Sequence, residues 1–545
     1  MKKLLIPLVI LILVSQVFPT TPNERLACLG RVWGFLKYFH PGVGTGSLDW
    51  DQVLIDTIPH VRDAGDLASF NREIDDLINR AGVFTPRDRF TPGPYQDLSL
   101  FPWLEHNELL DEAVRARLAK MVLDFKPFEN RYVDYSEIGL ATLGGEPFAF
   151  TEYYPDENLR LYALFQYWNW INYFFPYKDL IDEPWGAVLD RMVQPVRNAG
   201  DPFAFVAVMK QLSVAIDDAH GYMGSAFFEL MVGFYFVPAR AAFIEGKTVI
   251  DEVYPRLMNP AGALREGDVI LKRGDVDIAT LRASLYKFAH GSNEWTRQRN
   301  INGYVLRGPD PTLRYTIERN GQVLEVEVAA YNNYIMSLDR ERRKREADKW
   351  RMLPGNIGYV NMAALQNEDV GTMFSQFYAT RAIVFDLRGY PNNTWVVVSR
   401  YLNPEARPFA GILKPTRKCP GLFYIEGPQS AGADNPNYYK GKKVLLVNEW
   451  TLSQAEYTCM AFQTAPDCTI VGSWTAGADG NTGRVILPCR VVSVYSGFGV
   501  FYPDGRPTQQ VGIVPDIFIR PTIQGIRDGR DEVLERGVAF IKNNT

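Results

Sequence analysis

Apolar residues recur at helical spacing in two stretches of the N-terminal half, and the two stretches are copies of one pattern. Residues 25–77 align without a gap on residues 160–212 at a constant offset, with 17 identities in 53 positions. In each copy an aromatic-rich apolar run ends at a proline, and a second helical stretch begins at a tryptophan, Trp50 or Trp185. The pattern predicts a duplicated helical unit. One copy, with a connecting segment, occupies residues 21–150, and the other occupies 151–227.

The two copies differ at their ends. The second copy continues into Asp217-Asp218-Ala219-His220, whereas the first has Thr85 at the position that corresponds to His220. A histidine beside two carboxylates in only one copy is the first indication of chemistry in the chain.

The hydrophobic pattern changes to short β-type runs in residues 228–332, where turn pairs such as Asn320-Gly321 separate the runs. Within this region the segment Ala261-Gly-Ala-Leu-Arg-Glu-Gly-Asp-Val-Ile270 resembles a PDZ domain of the secreted-protease type. Such a domain adds an extended peptide as an extra strand at a sheet edge. The charged residues 333–350 that follow are interpreted as a solvated linker or an exposed helix face.

Residues 351–545 alternate short apolar strands with helical stretches, which predicts an α/β core with buried strands. Asp386-Leu-Arg-Gly389 follows one of these strands, and Ser453-Gln-Ala-Glu456 opens a helix after another. The functional crevice of such a sheet lies beyond the carboxyl ends of its strands. Ser453 places a hydroxyl at the start of a helix, which suits both a helix cap and a nucleophile. Glu456 is interpreted as its partner in an ordinary capping box.

The composition and the motifs that the sequence lacks argue against several classes of function. The net charge is −5 and there is no basic block, so nucleic acid is not expected as a partner. The five cysteines are widely spaced, and the chain has no P-loop, no dinucleotide-binding glycine motif and no H-E-x-x-H sequence. We therefore expect neither a cofactor nor a metal.

The chain resembles the S41 serine peptidases, which include the C-terminal processing (tail-specific) proteases, the retinoid-binding module of the same fold and the tricorn core. Seven short motifs in family order carry the resemblance, among them those around His220, Asp386 and Ser453 and the sequence Gly512-Ile-Val-Pro-Asp516. The resemblance implies a multidomain α+β protein: the duplicated helical domain, the PDZ-like domain, and an α/β core of the ClpP and crotonase type.

Departures from the family pattern decide the expected mechanism. Ala478 stands where the processing proteases have their catalytic lysine, so a Ser–Lys pair is excluded at that position. The resemblance to the tricorn branch implies Ser453 as nucleophile and His220 as general base. It also implies an oxyanion hole made by the backbone N–H groups of Gly389 and Gln454. Gln509 occupies the place of the family's histidine-orienting glutamate, and Asp217 or Asp218 is an alternative for that role.

Together these features predict a serine endopeptidase that cleaves polypeptides in C-terminal or unfolded segments through a Ser453 acyl-enzyme. Two alternatives remain: a non-catalytic protein of the same fold that binds an apolar ligand or a peptide, and an adaptor that uses the PDZ-like domain while the core is inactive.

The N-terminus predicts export. Lys2-Lys3 precede an apolar run from Leu4 to Val14, which is typical of a secretory signal peptide in residues 1–20 and too short for a membrane span. The expected location is the periplasm, the cell envelope or the extracellular space.

Overall fold

The computed structural model describes residues 20–86, 93–95, 98–144, 154–258 and 264–543. The predicted signal peptide, apart from Thr20, and the first part of the PDZ-like motif lie outside the described residues. No helix in the described ranges is both long enough and apolar enough to cross a membrane.

The N-terminal part is mainly helical. Its elements are α1 (Pro22–Phe39), α2 (Pro41–Gly44), α3 (Trp50–Asp63), α4 (Leu67–Arg80), α5 (Pro102–Glu105), α6 (Glu112–Leu123), β1 (Val133–Tyr135), β2 (Ala141–Leu143), α7 (Glu157–Phe174), α8 (Trp185–Arg197) and α9 (Pro202–Val214).

The two aligned segments fold alike. Helices α1, α3 and α4 correspond to α7, α8 and α9, and an aspartate caps the third helix of each set. In each copy two tryptophans exchange hydrogen bonds, with each indole N–H donating to the backbone oxygen of the other residue. Trp33 and Trp50 do so at 3.0 and 3.1 Å, and Trp168 and Trp185 at 2.7 and 3.0 Å. The same buried contact therefore fixes the crossing of the first two helices in both copies.

The middle part contains a six-stranded antiparallel sheet together with helices and short strands. Its elements are β3 (Met223–Gly224), α10 (Ala226–Val232), β4 (Tyr235–Phe236), β5 (Ala239–Ile244), β6 (Lys247–Val253), β7 (Val269–Arg273), β8 (Val276–Asp277), α11 (Ile278–Tyr286), α12 (Glu294–Val305), β9 (Arg307–Gly308), β10 (Thr312–Arg319), β11 (Gln322–Ala329), β12 (Tyr331–Asn332) and α13 (Asn333–Glu346). The sheet order is β11-β10-β7-β6-β5, with β8 paired to β7.

The charged stretch interpreted as a linker or helix face is a helix, α13. Its Asp339 is buried and accepts hydrogen bonds from Arg342 and Arg343 one turn further along. Arg343 also donates to Glu252 of β6 at 2.9 Å, which packs the helix against the middle sheet. The alternating charges are therefore paired with one another and with the sheet.

The C-terminal part is built on a second sheet. Its elements are β13 (Trp350–Leu353), β14 (Ile357–Asn361), α14 (Val370–Phe377), β15 (Ala382–Asp386), α15 (Trp395–Leu402), β16 (Arg407–Pro415), β17 (Phe423–Ala431), β18 (Lys442–Val447), α16 (Gln454–Gln463), β19 (Cys468–Gly472), β20 (Thr482–Leu487), β21 (Val491–Ser496), β22 (Gly499–Phe501), β23 (Ile517–Phe518), α17 (Ile523–Arg527) and α18 (Glu532–Asn543). The sheet order is β13-β14-β15-β18-β19-β23, parallel from β14 onward.

Every residue of β15 is buried, as its continuous apolar sequence predicts for a central parallel strand. One apolar core fills the face of the sheet that carries α14, α15 and α16, and α18 covers the other face. The carboxyl ends of β15 and β18 lie side by side, because Asp386 is in register with Leu446. The residues that follow these two strands therefore meet at one edge of the sheet.

Candidate active site

Ser453 lies at the turn between β18 and α16. Its backbone has φ 56° and ψ −122°, a conformation that costs a non-glycine residue roughly 1–3 kcal/mol and persists only where its surroundings enforce it. The Ser453 N–H donates to the backbone oxygen of Ala478 at 2.9 Å, and the side chain is half-buried at the start of the helix. This is a strained strand-to-helix turn that presents a hydroxyl at the carboxyl edge of the sheet.

His220 reaches this edge through a short strand pairing. β3, which follows the histidine, pairs antiparallel with β21, so that Met223 lies opposite Ser493 and Gly224 opposite Val492. The pairing places the His220 ring beside Ser496, the last residue of β21.

A chain of hydrogen bonds links the imidazole to a buried carboxylate. His220 Nδ1 lies 2.8 Å from Ser496 Oγ, and Ser496 Oγ lies 2.9 Å from Asp218 Oδ1. Asp218 also accepts from the backbone N–H groups of Ser496 at 2.6 Å and of His220 at 3.0 Å. We call the side chains of His220, Ser496 and Asp218 the relay.

The relay assigns the imidazole tautomer. A carboxylate only accepts, so the single hydroxyl proton of Ser496 points to Asp218, and Ser496 Oγ then accepts from His220 Nδ1–H. Nε2 is left unprotonated and able to take a proton. Burial lowers the pKa of His220; the charge of Asp218 opposes this effect and Arg299 adds to it.

The two other residues considered for orienting the histidine lie behind the relay. Gln509 is buried and its Nε2 donates to Asp218 Oδ1 at 3.4 Å, to the backbone oxygen of Asp217 and to Ser292 Oγ, both at 3.3 Å. It supports the carboxylate and has no bond to the imidazole among the described residues. The Asp217 side chain pairs with Arg297 and accepts from the backbone of Asp182 at 3.0 Å, so it points away from the relay.

Glu456 does more than cap a helix. It accepts from the Ser453 N–H at 3.2 Å, as in the expected capping box, but also from Thr475 Oγ1, from Gly477 N at 2.8 Å and from Ala478 N at 3.1 Å. Burial raises its pKa to about 7, and these hydrogen bonds oppose the rise. The carboxyl group thus ties the serine turn to the loop that carries Ala478 in place of a lysine.

The same contact explains why the Gly512-Ile-Val-Pro-Asp516 sequence begins with a glycine. Its φ is +68°, and a Cβ there would collide with Thr475 Oγ1 and Glu456 Oε1. At the other end of the motif, Asp516 accepts from the backbone of Ile470 at 2.8 Å and holds β19. The motif therefore braces the loop behind the serine.

The loop after β15 is held by ion pairs. Arg388 bonds both oxygens of Asp386 and, at 2.8 Å, Asp531. The following residue, Gly389, and Gln454 are the two expected oxyanion-hole residues. In the described part of the chain neither backbone N–H donates a hydrogen bond.

Ser453 and His220 line one open cleft of about 810 Å³. No hydrogen bond joins them among the described residues, and unliganded active sites often have such loose geometry. The structure thus brings Ser453, His220 and Gln454 to one cleft and places Gln509 behind it. Sequence reasoning missed Ser496, which no local sequence pattern distinguishes.

Comparisons with known proteins concern the family and the fold. The model of peptidase family S41 matches residues 356–519, which contain Gly389, Ser453, Ser496 and Gln509. A search of the curated proteins finds no significant match.

Solved structures share the fold at low identity. Mature CPAF complexed with lactacystin is 13% identical, with a TM-score of 0.56 over 71% of this chain and 99% of that chain. The photosystem II D1 C-terminal processing protease is 14% identical, with a TM-score of 0.41 over 68% of this chain and 94% of that chain. The tricorn protease is 12% identical, with a TM-score of 0.34 over 71% of this chain and 37% of that chain. Only the first of these likenesses is close enough to carry an argument, and it shows the fold.

Ser453, at the strained strand-to-helix turn, falls within the matched residues, whereas His220, which lines the same cleft, lies outside them. Residues 356–519 match peptidase family S41, and this match indicates a serine-type peptidase.

Proposed function

We propose that the protein hydrolyses peptide bonds through an acyl-enzyme on Ser453, with His220 as general base. The observation that carries the proposal is the relay, which leaves His220 Nε2 unprotonated in the cleft that Ser453 lines. Imidazole in this state is the group that activates a serine hydroxyl in acyl transfer.

The proposed steps conserve every proton. Ser453 Oγ forms a bond to the peptide carbonyl carbon while its proton passes to His220 Nε2. The C–N bond then breaks, and the same proton goes to the leaving amine. Water attacks the ester through the same base, and its proton returns to Ser453 Oγ as the acid product leaves. Asp218 stabilises the imidazolium through the Ser496 hydroxyl, because the relay places a negative charge behind the ring.

The oxyanion that forms in both steps needs hydrogen-bond donors. We assign the backbone N–H groups of Gly389 and Gln454, whose freedom from other partners in the described chain supports the assignment. The ion pairs of Arg388 and the hydrogen bonds of Glu456 hold the two backbone segments that carry them.

The proposed substrates are polypeptides, which the protein would cleave in C-terminal or unfolded segments. We propose that the middle sheet is a PDZ-like domain, in which an edge strand, β5 or β11, offers a site for an extended peptide. We also propose that the protein is exported, on the evidence of its N-terminal sequence alone; the N-terminus of the protein purified from its source would test this.

A fluorophosphonate probe tests the mechanism. We expect it to label the wild-type chain on Ser453 and to leave Ser453→Ala unlabelled. His220→Ala should label far more slowly and lose several orders of magnitude in kcat on unfolded casein. The double variant should be scarcely worse than either single one, since nucleophile and base act as a unit. A wild-type chain that binds peptide but is neither labelled nor active would instead support the non-catalytic alternative.

A further inference from the structure

A buried carboxyl group without a partner lines the catalytic cleft. Asp479 is 2% exposed, and its Oδ1 accepts from the backbone N–H of Gly480 at 2.7 Å. Its Oδ2 is buried with no hydrogen-bond partner in the described part of the protein. Buried polar groups are almost always paired, because leaving one unpaired costs its full desolvation penalty. An unpaired carboxyl oxygen in a cleft wall therefore points to a ligand.

Asp479 lies close to the proposed chemistry. The residue before it, Ala478, accepts the hydrogen bond from the backbone of Ser453 and donates to Glu456. Ser453, His220 and Asp479 all line the same cleft. A substrate side chain next to the reacting carbonyl would therefore enter the cleft that Asp479 lines.

The walls around Asp479 suit a long side chain with a positive end. The cleft lining includes the aromatic or aliphatic side chains of Trp395, Ile412, Tyr457, Phe498 and Val500. Aliphatic stems pack on such surfaces, and a guanidinium or ammonium group is attracted to aromatic faces.

Asp479 is the acidic residue of the cleft lining that has no basic partner among the described residues. The lining also contains Lys414 and Glu426, but these two form an ion pair at 2.7 Å, with the Lys414 ammonium 5.1 Å from the centre of the Phe498 ring. No lysine or arginine of the described chain pairs with Asp479. Burial, and the nearby Glu456, raise the pKa of Asp479 well above its usual range. A bound cation would supply the counter-charge that this carboxyl group lacks.

We infer that Asp479 is a specificity-determining residue that selects substrates with arginine or lysine on the N-terminal side of the scissile bond. This inference rests on the proposed function. It concerns which side chain enters the cleft, whereas the proposed function concerns the chemistry at Ser453.

Two internally quenched peptides test the inference. They differ only at the residue before the cleavage site, which is arginine in one and norleucine in the other. We expect kcat/KM for the arginine peptide to exceed that for norleucine by roughly 30-fold or more in the wild-type protein, the lower range for a buried charge pair. In Asp479→Asn the ratio should fall to near one, mainly through loss on the arginine peptide. Asp275→Asn, which removes an exposed aspartate that does not line the cleft, is the control and should keep the wild-type ratio.

Several results would overturn the inference. A wild-type preference for norleucine does so without any variant. So does an arginine preference that survives in Asp479→Asn, or one that disappears in Glu426→Gln instead.

A binding measurement separates this inference from the proposed function. The fluorescent cation 4-aminobenzamidine should bind the wild-type chain and Ser453→Ala equally, and Asp479→Asn at least about 30-fold more weakly. Equal binding to wild type and Asp479→Asn refutes the inference even if Ser453 is the nucleophile. Binding that depends on Asp479 supports the inference even if the fluorophosphonate probe fails to label Ser453. Equal melting temperatures of the variants show that the fold is intact.

Discussion

Replacing Ser496 with alanine removes the hydroxyl that joins the imidazole of His220 to the carboxylate of Asp218. Two hydrogen bonds disappear, one of 2.8 Å to Nδ1 and one of 2.9 Å to Oδ1. The backbone N–H of Ser496 still donates to Asp218, so the strand keeps its anchor to the carboxylate. The substitution therefore tests the relay with little change to the surrounding structure.

The expected magnitude follows from what the relay does in the transition state. There the imidazole carries a positive charge, and a hydrogen bond to a charged group is worth about 1.5–3 kcal/mol. At 1.36 kcal/mol for each factor of ten, kcat/KM in Ser496→Ala should fall roughly 10- to 150-fold. Asp218→Asn should lose more, because it removes the charge and reverses one of the hydrogen bonds.

The pH profile gives an independent readout. A general base acts in its neutral form, so activity is lost as the pH falls through the pKa of that base. Burial lowers the pKa of His220, so the acid limb of kcat/KM should lie below pH 6.5, the ordinary value for a histidine. Without Ser496 the ring loses its link to Asp218, which favours the charged form, and the limb should move to still lower pH.

Stopped assays on a quenched peptide between pH 4.5 and 9 measure both effects. Ser493→Ala is the matched control, since Ser493 is a buried serine on the same strand that bonds neither His220 nor Asp218 in the described structure. If Ser496→Ala kept kcat/KM within about threefold of wild type, with an unmoved acid limb, the relay would have no part in catalysis.

Three further outcomes are expected. Glu456→Gln should lower both kcat and the free energy of unfolding, the latter by about 1–3 kcal/mol, because an amide N–H₂ then faces backbone donors; unchanged urea denaturation and unchanged kcat would contradict this. Lys37→Met should lower the free energy of unfolding by about 3–5 kcal/mol, because it removes the ion pair of 2.8 Å between Lys37 and the buried Asp51. Thermal and urea melts measure this loss, and a loss below about 1 kcal/mol would show that the pair is dispensable. Asn293→Ala should lower kcat more than it raises KM, because Asn293 donates to the backbone of Thr475 at 2.9 Å; a change in KM alone would refute that contact as a support of the active-site loop.

The parts of the site that the sequence predicts are those that follow single strands or short motifs. The buried apolar run of β15 locates Asp386 and Gly389 at a strand end, and the run of β18 does the same for Ser453. Helical spacing and repeated tryptophans likewise predict the helices of both aligned segments. Local pattern is enough here, because each feature depends on neighbours in the sequence.

The parts that escaped prediction depend on contacts between distant segments. Ser496 meets His220 across 276 residues, only because β3 pairs with β21. Glu456 has the spacing of a capping box. That spacing does not predict that Glu456 also accepts hydrogen bonds from the loop at Thr475. Asp218, two residues before His220, reaches the imidazole only through a hydroxyl that another strand supplies.

The same dependence on distant contacts changes how the middle part of the protein should be understood. From sequence, a PDZ-like domain is expected to act mainly through substrate capture, so that its loss raises KM. In the structure, Asn293 and Thr296 at the start of α12 bond the backbone of the active-site loop, and Ser292 accepts from the backbone of Ala219, next to His220. The segment that carries His220, the loop behind Ser453 and the middle part of the protein are thus joined by direct hydrogen bonds. We therefore expect that a peptide which binds this part of the protein and shifts α12 would also move the loop behind Ser453.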